Sequence, residues 1–353
     1  MKVHADQAAS AASGQETSTA PPEPERWPQG KRFAFSIIDD TDVATVANVR
    51  PIYRLLERLG LRATKTVWPV SCPEGSRHFA GSQTLDDPDY LDFVQDLQRR
   101  GFEIAFHGAT MESSTRERTC QALERFKECF GSYPRVHANH GCNRENIYWG
   151  RSRIDQPLIK WIYGRAIGVP DGYYAGHIPG SAYWWRDLCQ SRIEYVRNLT
   201  FNSLDLSRIN PGMPYADRTR PLVRRWFSAA DAESADEFVR LLDSRNQKAL
   251  EANQGFAIVA THFGKNFVVD GQVDPRVQEL LEELSSRNGW FCTVSELLDW
   301  LRARQASPEL SEREWRRIQR IWLLNLLSRR LTAKWTKLRQ RLPIAASPLP
   351  STR

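Results

Sequence analysis

The sequence has no CxxC pair, only three methionines, no run of about 18 apolar residues and no internal repeat. Its six cysteines, Cys72, Cys120, Cys129, Cys142, Cys189 and Cys292, are scattered, which excludes a zinc knuckle or a dense disulfide framework and reads as reduced thiols. The missing apolar run argues against a membrane span. The N-terminus has no apolar core of the kind an export signal needs, so the expected compartment is the cytoplasm, with room for peripheral contact with the inner face of a membrane. Net positive charge is confined to one segment. Ser311 to Arg353 hold eleven Lys or Arg against Glu312 and Glu314, a balance of +9 where the whole chain carries +7, so the remainder nets −2. A nucleic-acid-binding core is therefore not expected.

Apolar residues make up 41% of the chain, enough to bury a sizeable core, and 12 Trp, 10 Tyr and 15 Phe exceed what core packing usually needs. Residues 1–30 are rich in Ala, Ser, Pro, Gln and Glu without hydrophobic period and read as a disordered segment. Short apolar runs then alternate with helical patterns. Strands are expected at 33–38, 63–70, 102–106, 135–139, 222–227 and 256–261, and helices at 43–59, 88–100, 115–130, 234–253, 275–287 and 295–304. This is the βα grammar of a parallel sheet or barrel, so one α/β barrel-like domain over 31–305 is the simplest division. The middle, 142–221, reads as irregular loops crowded with Trp149, Trp161, Tyr163, Tyr173, Tyr174, Tyr183, Trp184 and Trp185, suited to folding over a site.

In parallel α/β folds reactive groups gather at the C-terminal ends of the strands. Four expected strand ends carry such groups: FAFSIIDDTD gives Asp39, Asp40 and Asp42, EIAFHGATMESS gives His107, VHANHGCN gives His140, and FAIVATHFGK gives His262. Adjacent desolvated carboxylates call for a cation or a shared proton, which makes Asp39 and Asp40 site candidates. For Asp42, as for Thr41, the N-cap of the following helix is the expected role. Each histidine taken singly is equally a core or capping residue; three at equivalent strand ends favour metal ligation or proton transfer. His137 reads as structural, and His4, His78 and His177 have no suggestive neighbours.

With these motifs the chain resembles the polysaccharide deacetylase family, the nodulation-type deacetylases of carbohydrate esterase family 4, over 30–305. The resemblance implies an irregular (β/α) barrel and a divalent metal, zinc first among the candidates. It also implies that Asp39 is the catalytic base, that Asp40 and His107 are metal ligands, and that His262 is the proton donor. The family's second histidine, four beyond the first, is here Met111, a poor ligand for such a metal. We therefore expect His140, the remaining histidine at a neighbouring strand end, as the third ligand. The family's Arg-Pro-Tyr motif matches only loosely, with Asn139, His140 and Arg144 in its place, whereas GWFCTVSELLDWL resembles its final strand and helix. The implied activity is removal of an acetyl group from an amino sugar or glycan, nucleotide- or lipid-linked, in surface-polysaccharide metabolism. The alternative is an inactive barrel that binds a glycan or protein partner at a membrane surface.

Residues 306–353 form the last segment. Trp315, Ile318, Trp322, Leu326, Leu331, Trp335, Leu338 and Leu342 recur at spacings of three to five among arginines and lysines. This is a basic amphipathic helix, able to lie on an anionic membrane through 311–342 or to pack against the barrel or a partner chain.

Overall fold

The structure is a computed structural model that describes residues 25–167 and 169–341. Seven parallel strands close into a barrel: β1 Phe33–Asp39, β2 Ala63–Val67, β3 Glu103–Phe106, β4 Val136–Ala138, β5 Tyr195–Phe201, β6 Arg225–Ala232 and β7 Phe256–Thr261, with β7 pairing back onto β1. A hairpin, β8 Val268–Val269 with β9 Gln272–Val273, follows β7, and β10 Gly289–Phe291 pairs with the N-terminal half of β1. One edge of β1 is thus shared, β10 beside Phe33–Phe35 and β2 beside Ile37–Asp39, which makes the barrel irregular.

All seven residues of β1 and all six of β7 are buried, as expected of strands covered on both faces. The covering helices are α1 Val46–Arg58, α2 Pro88–Arg99, α3 Arg116–Phe130, α4 Pro157–Ile167, α5 Arg186–Arg192, α6 Ala235–Leu241, α7 Ser244–Ala252, α8 Pro275–Ser285, α9 Val294–Arg302 and α10 Glu312–Arg341. Helix α3 ends where expected, on Gly131 in the left-handed conformation (φ 80°) that a side chain disfavours.

Several expectations are corrected. The cap of α1 is neither Thr41 nor Asp42 but Thr45, which accepts from the Asn48 N–H while Asn48 bonds back to the Thr45 N–H. The stretch at 234–253 is two helices, because Asp243 caps a new one by accepting from the Asn246 N–H. The supposedly irregular middle contains α4, α5 and the whole of β5. Residues 1–24 and 342–353 lie outside the described residues. Trp27, in the remainder of the first segment, is buried against Phe256 and Trp290 and donates to the Gln254 carbonyl.

Helix α10 packs on the barrel in its first half. Ile318, Trp322 and Leu323 are buried, Trp322 stacks 5.4 Å from Tyr163 of α4, and Arg317 donates to the carbonyls of Arg208 and Ile209. Farther on, the Asn325 side chain accepts from the Asn202 N–H just past β5, and Arg329 binds Asp231 in β6. Two of the tryptophans stack on a buried arginine here: the Arg153 guanidinium lies 4.0 Å from the Trp149 ring centre and 4.6 Å from that of Trp322.

Candidate active site

Side chains of a strand alternate between its faces, so Asp39 and Asp40 leave β1 in opposite directions. Asp39 points out of the barrel toward α1. Its Oδ2 accepts from the Tyr53 hydroxyl at 2.9 Å and lies 2.8 Å from the Lys65 ammonium, while Oδ1 accepts from the Phe263 N–H at 2.8 Å. Both partners of this ion pair are fully buried, and β1 and β2 are in register at Asp39 and Lys65. Burial pulls the Lys65 ammonium down, but Asp39 foremost among its neighbours outweighs that and leaves its pKa raised. The expected base therefore lies outside the barrel interior, away from the histidines that flank Asp40.

Asp40 points inward. Across the barrel, Arg197 of β5 grips it with two parallel hydrogen bonds, 2.9 Å to Oδ1 and 2.6 Å to Oδ2. His107 Nδ1 stands 3.8 Å from Oδ1 and His262 Nε2 stands 4.0 Å from Oδ2. Burial would raise the carboxyl, yet Arg197, His107 and His262 together hold it below the usual carboxylate range.

Two residues on, Asp42 is where the histidines meet. Its Oδ1 is 3.3 Å from His107 Nε2, and its Oδ2 is 3.5 Å from His140 Nε2 and 3.4 Å from His262 Nε2. The chain takes a strained turn to put it there. Val43, a β-branched residue, has φ 53° in the left-handed region; its N–H donates to Ser82 and its carbonyl accepts from the Asn48 side chain. Gly264 is required beside this turn, since a Cβ would come within 2.9 Å of the Asp42 carbonyl oxygen. Burial raises the Asp42 carboxyl, but the three imidazoles beside it, His107 first, drive it far below the normal range. The histidines divide. Burial lowers His107, with Asp40 and Asp42 only partly compensating, whereas His140 and His262 end raised because Asp42 outweighs their burial.

The structure thus brings together Asp40, His107, His140 and His262, adds Asp42 and Arg197, and leaves Asp39 out. Met111 is also outside: its sulfur lies 4.0 Å from Ser82 Oγ and against Gly81. His137 is structural in its contacts, with Nδ1 on the Phe106 carbonyl and Nε2 on Asn139, and burial lowers it to about 4. Arg144 lies on the rim, its guanidinium 4.5 Å from the Tyr183 ring centre and 5.7 Å from that of Tyr173. Trp68 forms a wall, with its ring 4.7 Å from His107 and 5.4 Å from His140.

The donor set suits a divalent cation. Asp42 Oδ1, both nitrogens of His107 and Nδ1 of His262 are buried without a hydrogen-bond partner. Ligands at about 2.1 Å around a tetrahedral zinc are about 3.4 Å from one another, close to the separations between Asp42 and the imidazoles. Among the described residues no group of three or more His, Cys, Asp or Glu side chains is arranged to hold a metal ion. A cavity of about 640 Å³ lies elsewhere, between α10 and the segments at Asp155 and Tyr215.

No family model matches this chain, and no curated protein matches it. Solved structures do. A Mycobacterium smegmatis protein described as a polysaccharide deacetylase matches with TM-score 0.49 and 13% identity, over 83% of this chain and 98% of that one. An allantoinase matches with TM-score 0.46 and 13% identity, over 81% and 95%. A family 4 acetyl xylan esterase of Clostridium thermocellum, solved with a cobalt ion, matches with TM-score 0.35 and 15% identity, over 78% and 94%. Solved structures of polysaccharide deacetylases are thus among those to which the chain is similar.

Proposed function

We propose that the protein is a metal-dependent hydrolase that removes an acetyl group from an amino sugar or glycan. The observation that carries this reading is the convergence of three imidazoles on Asp42, one of whose oxygens is unpartnered, beside a second carboxylate held ionised by Arg197. Asp42, His107 and His140 are the residues that would hold the cation, zinc being the one this nitrogen and oxygen set suits. When bound, it would supply Lewis-acid polarisation of the acyl carbonyl. Asp40, the inward carboxylate that Arg197 holds ionised, takes the proton of the attacking water. His262, raised by Asp42 and 4.0 Å from Asp40, gives a proton to the departing amine. Compared with the roles that the family resemblance implies, base and carboxylate ligand each move along the chain, from Asp39 to Asp40 and from Asp40 to Asp42.

The test is acetate release from N-acetylglucosamine oligomers by zinc-loaded protein. Release that falls by roughly 100-fold or more in Asp40→Asn supports the assignment of the base. Equal release by Asp40→Asn and wild type contradicts it.

A second reading, a barrel that binds a glycan without turnover, is favoured by the burial of the centre: Asp42 is 8% exposed and His107 2%. It predicts glycan binding that survives Asp40→Asn with no acetate released by either protein. For a lipid-linked substrate, the cations of α10 offer contact with an anionic membrane. No helix among the described residues is long and apolar enough to cross one. Vesicle binding that persists after removal of residues 311–353 would contradict this contact.

A further inference from the structure

The loop after β4 contains two buried polar residues to which the proposed reaction gives no role, Asn143 and Glu145, 2% and 3% exposed. The Asn143 nitrogen donates toward three acceptors: the Thr110 carbonyl at 3.1 Å, the Glu112 carbonyl at 3.1 Å and Glu145 Oε1 at 2.9 Å. Three oxygens around that nitrogen fix the amide one way round, since a flipped amide would set its own oxygen against them. Asn143 Oδ1 is thereby turned to His140 Nδ1, 2.9 Å away. An oxygen facing that nitrogen requires it to carry the hydrogen, so the neutral ring presents the lone pair of Nε2, the atom 3.5 Å from Asp42.

Glu145 is fixed in turn. Its Oε2 accepts from the Ser114 N–H at 3.0 Å, and its carbonyl accepts from the Trp185 indole at 2.7 Å. Gly176 packs so tightly on that carbonyl that a Cβ would stand 1.8 Å from the oxygen. The two carbonyls bonded to Asn143, Thr110 and Glu112, flank Met111, whose sulfur is turned away to Ser82.

We propose that Asn143 and Glu145 are a positioning pair that sets His140 as an Nε2 donor, so that β4 supplies the imidazole that Met111 denies to the loop after β3. The pair acts through His140 and touches no reacting atom. This rests on the reading of Asp42, His107 and His140 as a cation site, and a hydrogen bond to the far nitrogen of a ligating histidine typically accounts for 10–100-fold in metal affinity.

The test has two arms. Nitrogen-15 NMR of the metal-free protein, at a pH where the ring is neutral, reads the His140 tautomer directly and is expected to show the proton on Nδ1; a proton on Nε2 overturns the proposal. Zinc competition against a chromophoric chelator is expected to show affinity about 10–100-fold weaker in Asn143→Leu, with an altered cobalt(II) absorption spectrum. Unchanged affinity and spectrum in a folded Asn143→Leu overturn the proposal. Wild-type protein that binds no zinc yet carries the proton on Nδ1 supports the positioning and overturns the cation reading beneath it.

Discussion

Asp39 and Asp42 are three residues apart in the chain and in opposite circumstances. Asp39 has every oxygen engaged by Tyr53, Lys65 and the Phe263 N–H in a fully buried network between barrel and helices. Asp42 has three imidazoles around it and one oxygen without a partner. A satisfied buried charge specifies packing, whereas an unsatisfied one surrounded by potential ligands is poised to bind. What separates the two is the two-residue period of β1 followed by the strained turn at Val43, rather than any difference in residue type.

That contrast can be broken most sharply at Asp42. Structural zinc sites are worth about 10–16 kcal/mol, so removing one of a few ligands should cost ~3–4 kcal/mol, or about 10²–10³-fold in affinity. Asp42→Asn should show that loss in a chelator competition, while Asp39→Asn keeps its affinity within about threefold. The Asp39–Lys65 pair should instead register as stability. Lys65→Met strands a buried carboxylate and should cost ~3–5 kcal/mol in urea unfolding, and the double change Asp39→Leu with Lys65→Met should recover most of it. A single change that leaves stability intact would show that the pair is not desolvated as described.

The third prediction concerns pH. Burial, the largest influence, raises the Glu145 carboxyl from 4.5 to about 7 against its hydrogen bonds to Ser114 and Asn143. The folded state then binds the proton more tightly than the unfolded one, so this group's contribution is fully present below pH 4.5 and is lost as pH rises through 7. The loss should be about 3 kcal/mol across the window. Glu145→Gln should remove that slope from a series of unfolding curves, and an unchanged slope would assign it to other groups. The smallest effect belongs to the start of α1. Thr45→Ala should cost about 1 kcal/mol of thermal stability through loss of the cap, whereas Thr41→Ala should act only through the lost hydroxyl bond to Tyr90, since its N–H still donates to Thr66.

The barrel was legible because six of its seven strands, with most of the covering helices, announce themselves by apolar runs and helical period. Strand β5 was not. Tyr195–Phe201 carries Arg197 and Asn198 at buried positions, and polar side chains that serve the barrel interior erase the pattern by which strands are recognised. Arg197 could have been noticed for the same reason, as a cation set between Val196 and Leu199, but its partner across the barrel is fixed by closure alone. At the site, His107, His140 and His262 were legible from their places at strand ends. Asp42 was hidden by the resemblance to a family whose motif begins with an adjacent pair. Strand alternation was the available signal for Asp40, which leaves β1 on the side opposite Asp39, whereas Asp42 is placed by the turn at Val43 that no periodicity announces.

The most direct test of the central claim is anomalous diffraction at the zinc edge from crystals grown with zinc. A peak about 2.0–2.2 Å from a carboxylate oxygen of Asp42 and from Nε2 of His107 and His140 is the predicted result. A peak ligated by Asp39, or none near Asp42 in zinc-saturated crystals, would contradict it.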